Sequence, residues 1–340
     1  MWRFPLKNSK KFFVSHNFFF TLTNNQKLTC KLRFSLPNRT YLPRMRLYNR
    51  PSIVKPILFT CFTSGTTYAV ALTYSEYKRR ASSNRALIEQ YNRKETSGIS
   101  NWVERVFSRQ LKKLQDWNVY IEIERNIALI TKRWRLLNDS DKTLLVLIGI
   151  NAIVFGMWQL APLQHLMEKY FVHHPLSGRM FTLLSSVFSH KAAWHFGFNM
   201  FALWSFGGVV YRIFGKEQFL AFYISSGVTS SCISHIFSLM FKDWKKIIGS
   251  LGASGAIFSC LGACAMKYPD ASVYLIFLPF FPIKIGYALP AVMAFDLYGI
   301  ISGMTLFDHF AHLAGAIFGI LYTKYGQEQY RNIQIILREL

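Results

Sequence analysis

Gly252-Ala253-Ser254-Gly255 opens an apolar run that extends to about residue 266, long enough to form most of a membrane crossing. The glycines on either side of Ser254 leave space around its hydroxyl for a partner side chain or a substrate backbone. A serine hydroxyl is a weak nucleophile and needs a base within hydrogen-bond distance. His312, inside another apolar run, is the base that the chain offers. Small residues in membrane helices often serve packing alone, so this motif by itself is weak evidence for a catalytic serine. The rest of the sequence has to support that interpretation.

The composition predicts an all-α protein that crosses the lipid bilayer several times. Hydrophobic residues make up 51% of the 340 residues, charged residues only 17%, and several apolar runs approach the roughly 20 residues of a transmembrane helix. The net charge of +23 does not indicate nucleic-acid binding, because its excess lies in an N-terminal stretch and in loops between apolar helices. The five cysteines form no CxxC pair, so we expect neither a disulfide framework nor a metal site.

The N-terminal stretch is typical of a mitochondrial transit segment. The first 75 residues contain twelve lysines or arginines and no acidic residue, with many hydroxyl side chains between them. We assign residues 1–50 to this basic segment, the alternative being a disordered basic tail without a targeting role. Residues 51–75 are predicted to hold an extra transmembrane helix, with its span at 57–74.

The remaining chain divides into three predicted parts. Residues 76–142, with fifteen basic and nine acidic side chains, are expected to form membrane-surface helices around 102–114 and 121–137. Residues 143–326 form the transmembrane core and 327–340 a short amphipathic tail. The predicted core crossings are 143–163, 192–213, 217–241, 249–267, 285–302 and 308–325. The apolar stretch 277–282 contains two prolines, so we expect a bend or an interfacial segment there.

Polar side chains within membrane helices are costly and are therefore functional candidates. The first group is His190-x4-His195-x3-Asn199, in which His195 and Asn199 lie on one helix face. Both can donate hydrogen bonds to the oxyanion of an acyl-transfer intermediate, with the Ser254 amide as a third donor. The alternative is that they bridge helices. Zinc is disfavoured because the sequence has no HExxH motif.

The second group is the stretch Asp308-His309-Phe310-Ala311-His312-Leu313-Ala314-Gly315, with Gly319 one turn later. Gly315 and Gly319 form a GxxxG pattern that lets this helix approach a neighbour closely, so that His312 can meet a serine there. Asp308 has two possible roles. It either orients the imidazole as a third catalytic member or, as is commoner at a helix start, caps the helix.

Two further residues have uncertain roles from sequence alone. Phe258 follows Ser254 by one helical turn and either stacks on His312 or belongs to an ordinary aromatic core. Asp296 is a lone acid in an apolar run, and the sequence names no partner for it.

The three motifs, in this order and spacing, resemble those of the rhomboid intramembrane serine proteases over residues 143–326. Shorter stretches at 203–206, 218–219 and 307–309 are most similar to the mitochondrial, presenilin-associated rhomboid-like branch. The resemblance implies a six-helix core with one extra N-terminal transmembrane helix, and no cofactor. It implies a dyad of Ser254 and His312 without an acid, and an oxyanion site formed by His195, Asn199 and the Ser254 amide. The implied supporting residues are Gly252, Gly255, Phe258, His190 and Gly315.

The resemblance also implies a function. It predicts a multi-pass protein of the mitochondrial inner membrane that cleaves single-pass transmembrane proteins, in protein processing and in quality control. Two positions depart from the family pattern: Gly178 precedes Arg179 where many members have tryptophan, and Phe258 replaces a common tyrosine.

Two other functions compete with this prediction. A proteolytically inactive rhomboid-like scaffold or chaperone usually lacks the serine or the histidine, and this chain has both. A transporter would show matched halves with interrupted helices, and the sequence has no such repeat. The side to which the active site opens stays undecided, because the basic residues near the core helices and the basic N-terminus favour opposite orientations.

Overall fold

The computed structural model describes residues 52–83, 119–241, 247–275 and 278–339. The predicted transit segment at 1–50 and the helical pattern at 102–114 lie outside these ranges. Within them the chain is mostly helical, in agreement with the composition.

The first three helices are α1 (Val54–Ser83), α2 (Val119–Leu136) and α3 (Asp139–Gln159). α1 contains the predicted span 57–74 and continues well beyond it. α3 begins four residues before the predicted crossing because the Asn138 side chain caps it, accepting a hydrogen bond from the Asp141 amide. It ends where Leu160 becomes extended.

The predicted long loop 164–190, together with the three residues before it, consists largely of short helical turns. These are the 3₁₀ turns Ala161–Leu163, Pro175–Ser177 and Ser186–Phe188, and the helices α4 (Gln164–Tyr170) and α5 (Thr182–Ser185). The Trp158 indole at the end of α3 donates to Ser189 Oγ at 2.9 Å, and Ser185 Oγ donates to the Tyr170 carbonyl. These bonds fix the segment against the core.

The second predicted crossing is interrupted. It comprises α6 (Ala193–Ala202), a π-helical turn (Leu203–Gly207) and α7 (Gly208–Phe214), and α8 (Lys216–Phe241) follows. The π turn lies where the chain packs tightly on α3, since a Cβ atom at Gly207 would be 2.9 Å from Leu144 Cδ2. π turns of this kind insert one extra residue into a helix without breaking it.

The C-terminal elements are α9 (Ser254–Lys267), α10 (Ile285–Ile301), α11 (His309–Leu321), a π turn (Tyr322–Gly326) and α12 (Gln327–Glu339). The crossing predicted at 249–267 starts five residues too early. Ser250 pairs instead as an extended residue with His173, with both backbone N–H···O distances at 2.9 Å.

The proline-containing stretch 277–282 was predicted as a bend or interfacial segment, and its described residues 278–282 form a β-strand, while an interfacial position stays a prediction. β1 (Ser272–Leu275) and β2 (Leu278–Lys284) form an antiparallel hairpin, in which Ser272 pairs with Lys284 and Tyr274 with Pro282. Prolines are tolerated because both strands are edge strands. The hairpin is a departure from the expected all-helical architecture.

α9 and α11 are in backbone contact. A Cβ atom at Gly315 would lie 2.1 Å from the Gly255 carbonyl oxygen, and one at Gly319 would lie 2.1 Å from that of Ser259. Ser259 Oγ also donates to the Gly315 carbonyl at 2.8 Å. The glycine pattern therefore holds the two helices together as closely as backbones can approach.

Two helices in the described ranges, α3 and α8, have the length and hydropathy of a membrane span, while α9 and α10 are shorter apolar helices. The predicted count of six core crossings therefore stays a prediction. α1 lies along α8, where Thr67 Oγ1 and Ser225 Oγ are 3.0 Å apart. Tyr330 of α12 packs against Ala71 and Leu72 of α1, so the first and last described helices are in contact.

Candidate active site

Ser254 and His312 are 58 residues apart in the chain and in hydrogen-bond contact in space. Ser254 is the first residue of α9, and its Oγ lies 2.9 Å from His312 Nε2 in the first half of α11. The contact depends on the close approach of α9 and α11, because it joins side chains that project from facing helices. It gives the serine a base at the distance that proton transfer requires.

The backbone before Ser254 is held in an unusual conformation. Gly252 has φ +129°, which non-glycine residues rarely adopt, and its amide donates to the Ser186 carbonyl at 2.9 Å. A Cβ atom there would be 2.8 Å from Cε1 of His195. Any side chain at position 252 would therefore both strain the backbone and displace His195.

His190 supports the same backbone. Its Nε2 accepts a hydrogen bond from the Ala253 amide at 3.3 Å, and its ring is fully buried. Burial, with a smaller contribution from the neighbouring His195, lowers the pKa of His190 to about 3. The ring is therefore neutral at physiological pH and can act as an acceptor.

The two predicted oxyanion side chains occupy different places. His195 lines the cavity that contains Ser254 and His312, whereas Asn199 is not among the described residues that line it. Asn199 Nδ2 donates to the backbone carbonyl of His195 at 2.8 Å, within α6. His195 therefore lines the space beside Ser254 and His312, whereas Asn199 bonds to the backbone of α6.

Phe258 lies flat against the imidazole of His312. The two ring centroids are 4.2 Å apart and the planes differ by 10°. Phe307 contacts the same imidazole at a centroid distance of 6.1 Å. Of the two roles considered for Phe258, the geometry is that of a stacking partner, which restricts the imidazole to one plane.

Asp296 was noticed in the sequence, but its partners were missed. Its Oδ1 lies 3.1 Å from His312 Nδ1 and 2.6 Å from His309 Nδ1, and its side chain is 1% exposed. The resemblance implied a dyad without an acid, but in the structure a carboxylate contacts the far nitrogen of the base. The only signal in the sequence was an acid in an apolar run, which nothing linked to α11.

The donor atoms of Asp296, His309 and His312 lie within 4.8 Å of one another, a spacing found in metal sites. However, the Oδ1–Nδ1 distance to His309 is 2.6 Å. Two ligands of a tetrahedral zinc ion with bonds near 2.1 Å are separated by about 3.3 Å. The arrangement fits a hydrogen-bonded network better than a metal cage.

Asp308 was considered as the acid that orients His312, and this role is wrong. Its carboxylate caps α11 by accepting from the Ala311 amide, and it accepts from Ser234 Oγ at 2.7 Å and from Ser250 Oγ. Asp308 therefore ties together α8, α11 and the extended backbone that leads to Ser254.

We expect Asp308→Ala to lower the free energy of unfolding by about 1–3 kcal/mol, because a helix cap and two serine hydrogen bonds are lost together. Thermal unfolding of the purified chain in detergent measures this. Ser302→Ala is the control, since Ser302 Oγ bonds only carbonyls of its own helix end. Equal midpoints for the two variants would contradict the assignment.

A cavity of about 230 Å³ lies beside Ser254 and His312. Several of its wall residues are serines of α8, among them Ser230, Ser231 and Ser234. Hydroxyl groups of this kind can hold water, and hydrolysis at Ser254 needs water. The cavity is therefore suited to a hydrolytic reaction within an otherwise apolar set of helices.

Residues 177–328 match the Rhomboid domain. Over 279 residues the chain is 36% identical to the mitochondrial presenilin-associated rhomboid-like protein of Mus musculus, an alignment that covers 82% of this chain and 68% of the relative. The chain belongs to the rhomboid family. This confirms the resemblance drawn from the three spaced motifs.

More distant rhomboid relatives match shorter parts of the chain. Rhomboid protein 1, mitochondrial, of Saccharomyces cerevisiae is 36% identical over 183 residues, which is 53% of this chain and 51% of that protein. Rhomboid protease GluP of Bacillus subtilis is 34% identical over 142 residues, 42% of this chain and 25% of that protein. This rhomboid-family chain is accordingly a mitochondrial membrane protein with an intramembrane protease-like function.

Proposed function

We propose that this rhomboid-family chain is a serine endopeptidase that cleaves single-pass transmembrane proteins of the mitochondrial inner membrane, in protein processing and quality control. The observation that carries the proposal is the 2.9 Å contact between Ser254 Oγ and His312 Nε2 beside a polar cavity. An inactive scaffold has no need of this contact.

The chemistry proceeds in two halves. Ser254 Oγ–H donates to His312 Nε2, which takes the proton as the oxygen attacks a peptide carbonyl. The protonated imidazole then gives that proton to the leaving amine, which frees the C-terminal product. Water from the cavity next attacks the acyl-enzyme and loses a proton to His312. The carboxylic acid product then departs, and the hydroxyl of Ser254 is restored.

The negative charge on the oxygen of the tetrahedral intermediate needs hydrogen-bond donors to stabilise it. Ser254 starts α9, so its backbone N–H has no partner within the helix and lies at the positive end of the helix dipole. The His195 ring, which contacts Gly252, is the second donor that we propose. Asn199 supports it by fixing the His195 backbone carbonyl.

The geometry also favours a substrate that is already in the membrane. The reacting groups lie among apolar helices, and a helical peptide there must lose its own hydrogen bonds before it can be cut. Substrates with small or helix-weakening residues near one membrane face lower that cost, so we propose this class of single-pass protein.

Labelling of the purified full-length chain with a fluorophosphonate tests the proposal. This reagent phosphonylates an activated serine, so we expect covalent labelling that Ser254→Ala abolishes and His312→Ala reduces at least about 10²-fold. Labelling of folded Ser254→Ala at the wild-type rate would remove Ser254 from the mechanism. No labelling of the folded wild type would favour the scaffold function.

A further inference from the structure

We infer that Asp296 and His309 extend the catalytic pair into a chain of four residues, in which Asp296 positions His312 and His309 positions Asp296. This inference rests on the proposed function and deepens it. It assigns a role to Asp296, the buried acid of α10, which lies outside the three sequence motifs.

The contacts of Asp296 select one form of His312. Asp296 Oδ1 is an acceptor 3.1 Å from His312 Nδ1, so the Nδ1–H tautomer is favoured and Nε2 is free to accept from Ser254. The same carboxylate stabilises the imidazolium that forms when His312 takes the serine proton. Asp296 thus acts through His312 without touching the substrate.

His309 holds the carboxylate in place. Its Nδ1–H donates to the same Oδ1 at 2.6 Å, and its ring is 2% exposed. The ring fits into α10 at Gly299, where a Cβ atom would be 2.4 Å from His309 Nε2. A glycine at position 299 therefore makes room for the imidazole that orients Asp296.

Buried acids in membrane proteins are costly unless they are paired. Asp296 Oδ2 has no hydrogen-bond partner, so its two contacts through Oδ1 are the described interactions that compensate for its burial. A merely structural acid would be expected to join backbone amides or serines, as Asp308 does. Asp296 instead joins two imidazoles, one of which contacts the nucleophile.

The test compares Asp296→Asn with Asp308→Asn. The chemical change is the same, but Asp296 lies on α10 and bonds two histidines, whereas Asp308 caps α11 and bonds serines. We expect Asp296→Asn to lower kcat for cleavage about 10²- to 10⁴-fold with little change in KM, because the imidazole loses its orienting charge. Fluorophosphonate labelling should slow in parallel.

Asp308→Asn should slow labelling far less than Asp296→Asn does, whatever it does to the midpoint of thermal unfolding, because Asp308 bonds serines and a backbone amide and not His312. A wild-type labelling rate in Asp296→Asn would overturn the inference, as would an equal loss of rate in both variants.

A second pair of variants tests the role of His309 if Asp296→Asn does not fold. His309→Asn keeps a donor near the Nδ1 position, and His309→Leu removes it. We expect His309→Leu to slow labelling about 10-fold or more and His309→Asn to restore part of the rate. Equal rates for the two would overturn the role of His309. Full labelling of Ser254→Ala would instead overturn the proposed function itself.

Discussion

Replacing Ser254 by alanine is expected to lower the turnover of a single-pass transmembrane substrate by at least about 10³-fold, because the attacking oxygen is removed. Replacing His312 by alanine should have a similar effect, since the hydroxyl then has no base at 2.9 Å. The double variant should be hardly worse than either single variant, because both residues act as one unit. Cleavage in proteoliposomes, measured by release of a fluorescent product, checks all three.

Ser205→Ala is the matched control for these variants. Its hydroxyl donates to the Phe201 carbonyl within its own helical segment, and Ser205 is not among the described residues that line the cavity. We expect wild-type turnover from it. Multiplied losses in the double variant would show that Ser254 and His312 contribute independently, which would contradict the dyad.

Replacing Gly315 by alanine is expected to reduce stability and activity together. The added Cβ atom would lie 2.1 Å from the Gly255 carbonyl oxygen, a backbone atom that cannot rotate away. α11 must therefore move outward, which costs about 1–3 kcal/mol or more in unfolding free energy. A displacement of about 1 Å at His312 is enough to reduce turnover about 10²-fold.

The same substitution at Gly156 provides the comparison. Gly156 lies inside α3, and a Cβ atom there would meet no atom within 4 Å. Alanine at this position should leave stability unchanged or raise it by about 0.5–1 kcal/mol. Thermal unfolding and fluorophosphonate labelling of the two variants measure both effects. A Gly315→Ala protein as stable and reactive as Gly156→Ala would contradict the backbone contact between α9 and α11.

The family could be predicted from the sequence because its motifs lie within single helices, and the meeting of Ser254 with His312 followed from the family resemblance that those motifs carry. Gly315 and Gly319 also predicted close helix packing, and the structure has it in the contact of α11 with α9. These features follow from residue type and helical spacing, which local sequence contains.

Features that depend on tertiary contacts were not predictable in this way. The partner of Asp296 is set by how α10 and α11 cross, and no spacing within either helix encodes that crossing. α9 starts only at Ser254 because Ser250 pairs with His173, which lies 77 positions earlier in the chain. The hairpin at 272–284 was missed because paired prolines and phenylalanines have no strand periodicity.

The location of Asp296 on α10 has a consequence for the order of events in one catalytic cycle. The outer surface of α10 is apolar and open, with Tyr298 and Ile301 exposed by 63% and 78%. A substrate helix that entered laterally by pushing α10 away from α11 would separate Asp296 from His312. In the proposed mechanism, substrate entry and peptide cleavage are therefore separate in time, and reactivity returns only when α10 has moved back against α11.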